Sequence, residues 1–190
     1  MKPLVKLVFA AALAASISAQ NSNDNAPTAT NALAFDKDTK VTVSYASFTT
    51  AGGNWLHQLY AKGDNGARAR KFYNEQYVTG KLAGSLELSK DIELAGNPLV
   101  AGTYKFTFRI DEDLVWQMVV MNGKGQEVCV ATMNTERDDK HPVSRLTITP
   151  VAGPEGKAGN LNIRFGPLAA DIAFKVAASA AKKAEPAGKK

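Results

Sequence analysis

The sequence predicts an all-β protein, a single antiparallel β-sandwich of about eight or nine strands with one short helix and a long loop inserted. Apolar residues alternate with period two along most of the chain, turn signals separate the runs, and helical spacing of apolar residues is confined to one stretch. Alternation implies a half-buried strand, because successive side chains leave a pleated strand on opposite faces.

Val41, Val43 and Tyr45 alternate with Thr42 and Ser44, and Leu86 and Leu88 with Ser85 and Glu87. Tyr104, Phe106, Phe108 and Ile110 share one face, with Lys105, Thr107 and Arg109 on the other. Asp111-Glu112-Asp113 then reads as a turn. Val115 to Met121 is apolar on both faces except at Gln117, the pattern of a central strand. Asn122-Gly123 is a turn dipeptide suited to positive φ, and Glu127 to Met133 is expected to pair back. Leu146 and Ile148 oppose Arg145, Thr147 and Thr149; Leu161, Ile163 and Phe165 alternate with Asn160, Asn162 and Arg164; Ile172, Phe174 and Val176 close the set. The exception runs from Asn54 to Val78, where Trp55, Leu56, Leu59 and Tyr60 fall at helical spacing before a Gly/Asp/Asn cluster. A short helix followed by a long ordered loop is expected there, and loops of that length in a compact domain commonly carry function.

The chain has 190 residues, 45% hydrophobic and 22% charged, enough apolar content for one domain with a real core. Lys2 and Lys6, the apolar run Leu7 to Ile17 and the small residues Ser16 to Ala19 have the form of a signal peptide, 1–19, cleaved after Ala19 or Ser18. The apolar run is shorter than the ~20 residues a spanning helix needs, so no membrane span is expected once the leader is removed. Gln20, not a cysteine, follows Ala19, so no thiol is expected there for a lipid anchor. A polar segment, 20–32, reads as a flexible spacer, 33–176 as the β-sandwich domain, and 177–190 as a disordered Lys/Ala/Pro-rich tail. These boundaries place the domain in the periplasm or outside the cell.

The formal charge of +5 suggests a nucleic-acid partner, but its location does not. Setting aside six lysines of the leader and tail and Glu185 leaves 17 basic and 17 acidic residues of the totals of 23 and 18. The body is neutral and has no Lys/Arg cluster with which to neutralise phosphates. Cys129 is the only cysteine, so it has no disulfide partner within the chain; Val128-Cys129-Val130 reads as strand and the thiol as buried and inert.

Catalytic and metal signatures are sparse. His57 and His141 are the only histidines, too few with one cysteine for a closed zinc site. No Gly-x-Ser-x-Gly elbow occurs, Asp111-Glu112-Asp113 lacks the spacing of a calcium loop, and Glu87, Glu93 and Glu127 have no evident carboxylate partner. No metal or cofactor is expected. One concentration of polar and aromatic residues stands out: Trp55, His57, Arg70, Tyr73, Asn74, Glu75 and Tyr77. Aromatic planes beside hydrogen-bonding groups are how concave sites hold small polar ligands. The preferred reading of the same residues is a brace, with Arg70 and Glu75 as an ion pair that fixes the loop and Trp55, Phe72 and Tyr77 as plugs of the core.

The order Val41–Tyr45, Ser89–Leu94, then Val100-Ala-Gly-Thr-Tyr104 leading to a strand, an acidic turn and Trp116, resembles an exported bacterial family known as domain of unknown function 2911. The likeness runs from about Lys40 to Val176 and is firmest from Ser89 to Met121. Its hallmark segment, Trp-Arg-x-Gly-Ala-Asn-Glu, is matched by Ala69-Arg70-Lys71-Phe72-Tyr73-Asn74-Glu75, which keeps the Arg, Asn and Glu and replaces the Trp and Gly-Ala. The resemblance implies a secreted β-sandwich-like domain and carries no established activity. The expected function is an exported, non-enzymatic envelope domain binding a small polar ligand or a protein partner through one end of the sandwich. The alternatives are a hydrolase-like enzyme using Glu75 with Arg70, and a purely structural envelope protein.

Overall fold

The structure, a computed structural model, describes residues 26–49, 54–79, 83–154 and 156–177. The leader, the first residues of the spacer and nearly all of the tail lie outside these. Among the described residues the chain runs β1 (Thr28–Ala34), β2 (Lys40–Ala46), α1 (Asn54–Tyr60), α2 (Gly63–Thr79), β3 (Gly84–Leu88), β4 (Ile92–Leu94), β5 (Asn97–Leu99), β6 (Gly102–Ile110), β7 (Trp116–Met121), β8 (Glu127–Thr132), β9 (Asn134–Arg137), β10 (Val143–Ala152), β11 (Ala158–Gly166) and β12 (Leu168–Val176).

These form two antiparallel sheets, as the alternation implies. The first has the order β1-β2-β3-β6-β7-β8; the second is β10-β11-β12-β4-β5, with β9 alongside β12. Strand β12 is shared lengthwise: Leu168–Asp171 pair with β9 and Phe174–Val176 with β4. Leu86, Phe106, Ile110 and Met118 from the first sheet meet Leu94, Ile148, Leu161 and Ile172 from the second, each less than 2% exposed. Burying one such side chain stabilises by about 1.5–3 kcal/mol, so these inward rows are the main source of stability. Cys129 is buried and free, and burial pushes its thiol pKa up, which keeps it protonated and unreactive.

Strand β7 is flanked by β6 and β8, and Thr107 and Val119 are buried on the sheet's other face as well, which accounts for its two-sided apolar sequence. The β7–β8 turn differs from the expected dipeptide. The positive φ falls on Gly125 (76°), while Asn122 caps the loop by accepting from the backbone of Lys124 and Gln126. A type I turn closed by a left-handed glycine places the strain at Gly125, one step beyond Asn122-Gly123-Lys124.

Strand β1 begins at Thr28, inside the segment whose composition reads as a spacer. It pairs along its full length with β2. Four short or small-residue strands, β1, β4, β5 and β9, raise the count above the eight or nine of the sequence. The expected loop after the short helix is instead the 17-residue α2. Ala67, Arg68, Ala69, Arg70 and Lys71 are strong helix formers, and tertiary packing supplies the rest.

The sheets are joined at both edges. Asn31 of β1 donates to the Ile148 carbonyl of β10 (2.7 Å), and residues 47–49 leave β2 to pair with β10 through Leu146 N–H to Phe48 O (2.9 Å) and a bridge between Thr49 and Arg145. At the opposite edge Asn97 of β5 donates to the Val130 carbonyl of β8 (3.4 Å). A third tie joins loops: Lys157 donates to Asp36 and to Thr39 Oγ1, and the Lys157 hydrogen bond, with that of the Asp38 backbone, holds the Asp36 pKa far below the carboxylate range.

Candidate functional site

Both helices close the end of the sandwich where β6 stops and β7 starts. Leu56 and Leu59 of α1 and Ala69 and Tyr73 of α2 are buried in the common core. Tyr73 packs edge-to-face on Trp116, with ring centroids 5.5 Å apart. Trp116 Nε1 in turn donates to the Tyr60 hydroxyl at 2.8 Å.

The hallmark segment lies on α2, and its polar residues divide by helical phase. Arg70 and Asn74, four apart, share the face toward the protein. Arg70 Nη1 donates to the carbonyls of Leu59 (2.7 Å), in the last turn of α1, and of Ala61 (3.3 Å), just beyond it. A cation there also meets the negative end of the α1 dipole. Asn74 grips the end of β6 twice: its Nδ2 donates to Ile110 O (2.7 Å) and its Oδ1 accepts from Ile110 N (3.1 Å). Glu75 is a further 100° round the helix, 60% exposed, with Lys71 at 3.9 Å. The ion pair of Arg70 with Glu75 that the sequence suggested is therefore not formed: Arg70 binds carbonyls and Glu75 lies near Lys71. His57 is exposed on α1, and the side chains of Trp55 and Tyr77 lie outside the described residues.

Arg70 thus acts as a brace in this geometry. Hydrogen bonds to a charged group contribute about 1.5–3 kcal/mol, so Arg70→Ala should lower the melting temperature by roughly 4 °C or more on the scaling for domains of this size. Calorimetry giving an unchanged Tm would remove the brace.

A cleft opens beside these helices. Leu56 and Tyr60 of α1 form one wall, Thr135, Glu136 and Arg137 of β9 the other, and Pro167 and Leu168 complete the lining of a space of about 330 Å³. Strand register decides which β9 side chains face it. Arg137 is paired with Leu168, a core residue, and Thr135 with Ala170, also inward; Glu136, paired with Ala169, is out of phase and belongs to the outer face. Arg137 Nε is held by both oxygens of Asp139 at 2.8 Å, in an exposed pair. Burial raises the Tyr60 pKa, against the lowering effects of the Trp116 hydrogen bond and the Arg137 charge, so the phenol keeps its proton. With its oxygen accepting from Trp116, the hydroxyl keeps its proton to donate.

Two other polar features lie outside this end. Asp138 accepts from His141 N and Nδ1 and from Arg164 Nη2, and these bonds outweigh the effect of burial and hold its pKa down. His141 is 78% exposed there, so the cluster pins the β9–β10 loop to β11. A more open groove of about 520 Å³ crosses β4, β11 and β12, bordered by the Glu93–Lys175 ion pair at 2.8 Å. Asp111 caps its own turn, accepting from Val115 N and from Gln117, and among the described residues no three His, Cys, Asp or Glu side chains group to hold a metal.

The cleft residues other than Tyr60 and Leu56 carry no sequence signal. Thr135 and Arg137 sit in a stretch with no apolar alternation, because one of its faces looks into the cleft and the other into solvent. Comparison of the chain with family models, curated proteins and solved structures finds no match.

Proposed function

We propose that the chain is an exported, non-enzymatic β-sandwich domain of the bacterial envelope that binds a small ligand at its helix-capped end, within the exported family its Ser89–Met121 segment resembles. The observation that carries the binding reading is the cleft, where Tyr60, Thr135 and Arg137 present hydrogen-bonding groups over a floor of Leu56, Pro167 and Leu168. Apolar floors with a few convergent polar groups are the usual form of small-molecule sites. In this reading Arg70 and Asn74 are positioning residues. Arg70 fixes the carbonyl of Leu59, next to Tyr60, and Asn74 fixes α2 to β6. Export is supported by the charged and apolar leader.

Protein recovered from the soluble envelope fraction should begin at Ala19 or Gln20 by intact mass. The same protein should enhance the fluorescence of 1-anilinonaphthalene-8-sulfonate, an apolar anionic dye, with saturation at one site. Thr135→Phe, which keeps β-propensity while placing a ring in the cleft, should abolish the enhancement at unchanged Tm. Enhancement that survives this substitution, or an intact Met1 in exported protein, would count against the proposal.

A further inference from the structure

We infer that the ligand is a monocarboxylate with a short apolar body, its carboxylate held by Arg137 and Tyr60 and its chain lying on Leu56, Pro167 and Leu168. This rests on the reading of the cleft as a binding site and goes on to name what fills it. Among the groups that face the cleft, donors dominate. Arg137 has no acceptor atom, and the Tyr60 oxygen already accepts from Trp116, leaving its proton to give. Thr135 can donate or accept. A ligand here must therefore present acceptors, and two adjacent ones suit the fork of a guanidinium.

Charge narrows the class further. Among the described residues Arg137 is the one cation lining the cleft. Its partner Asp139 is 64% exposed and takes only Nε, so it leaves the two terminal Nη groups open and screens the cation weakly. Asp139 beside the cleft and Glu136 in its wall repel a doubly charged phosphate more strongly than a monoanion. The volume sets the size. At about 330 Å³ the space is near the lower end of small-molecule sites, which run to ~300–1,000 Å³. Its floor of Leu56, Pro167 and Leu168 offers no hydrogen-bonding side chain, so the body that lies there is apolar. A bulky or many-hydroxyl ligand would leave polar groups unpaired against that floor.

The experiment is calorimetric titration of the mature protein with hexanoate, hexanamide and hexylammonium, which share a chain and differ in the head. Hexanoate should bind about tenfold or more tightly than hexanamide, the difference between a charge-assisted and a neutral hydrogen bond, and hexylammonium should not bind. Arg137→Gln should erase the preference for hexanoate, Arg137→Lys should restore part of it, and Tyr60→Phe should weaken both acids and amides several-fold. Thr135→Phe should abolish all binding. Equal binding of hexanoate and hexanamide, both lost in Thr135→Phe, would overturn the carboxylate inference and leave the cleft a binding site for neutral acceptors. Preference for hexanoate that persists in Arg137→Gln would also overturn it. No binding of any of the three, together with no dye response, would overturn the cleft itself.

Discussion

Asn74→Ala should release α2 from the first sheet and cost more stability than any other single polar substitution at this end. Asn74 satisfies both backbone groups of Ile110, a residue with 0% exposure, so truncation leaves a buried N–H and a buried C=O without partners. Each such orphan costs about 1–3 kcal/mol, and the sum, roughly 2–4 kcal/mol, corresponds to a fall of about 5–15 °C in Tm at this domain size. Asn74→Asp separates the two contacts. The carboxylate can still accept from Ile110 N, but it replaces the donor with an oxygen facing Ile110 O. It should therefore recover little of the loss, despite being nearly isosteric. Thermal denaturation followed by circular dichroism checks both variants, and a loss under about 1 kcal/mol in Asn74→Ala would show that the helix is held by packing alone.

Gly66→Val should prise the two helices apart. An ideal Cβ at Gly66 would fall 1.7 Å from the carbonyl oxygen of Ala61 and 2.6 Å from its carbon, both backbone atoms that cannot swing aside. Propensity opposes this effect, since alanine is favoured over glycine in a helix interior by about 1 kcal/mol. Overpacking against side chains costs about 1–3 kcal/mol and more where backbone must move, so the clash wins even for Gly66→Ala. Valine adds a branched side chain at the same place and should cost at least ~3 kcal/mol. Because Arg70 reaches the Ala61 carbonyl from the same side, its hydrogen bonds should be lost together with the Tyr60–Trp116 contact. Gly123→Ala is the control: nothing lies within 4 Å of its added Cβ, and Tm should hold. A Gly66→Val protein with wild-type Tm and an unaltered tryptophan spectrum would contradict the packing described for α1 and α2.

The strands that were legible from sequence are those whose inward residues are large. Phe106 and Phe108 in β6, or Leu161 and Ile163 in β11, announce a buried face by size alone. Strand β1 is silent because its inward set includes Asn31, a polar residue whose burial is tolerated through the Ile148 carbonyl and the Tyr45 hydroxyl. Strands β4 and β5 have three residues each, too few to show a period, and Pro98 argues against a strand except at an edge, which is where β5 lies. Helix α2 hides its inward face for a different reason: the face is Gly66, Ala69 and Tyr73 flanked by Arg70 and Asn74, small and polar residues that fit because another helix approaches closely. The Ala69–Glu75 segment lies on α2, and none of its residues lines the cleft. Whether Arg70, Asn74 and Glu75 converged depended on helical phase, which places the first two together and Glu75 apart. The cleft was not legible at all, since residues 56–60, 135–137 and 167–168 meet only through the pairing of β9 with β12.

That pairing bears on how the chain reaches its native state. Strand β12, the last among the described residues, is the one that joins β11, β4 and β9, so the β4–β5 hairpin and β9 have no neighbour in their sheet until residues 168–176 arrive. The Asn31–Ile148 latch spans 117 residues and must likewise wait. Chains dominated by such distant pairings lose loop entropy before contacts compensate for it, and they fold in milliseconds to seconds rather than microseconds. The first sheet, whose strands all lie between residues 28 and 132, can therefore pair before the second, which is completed only by residues 168–176.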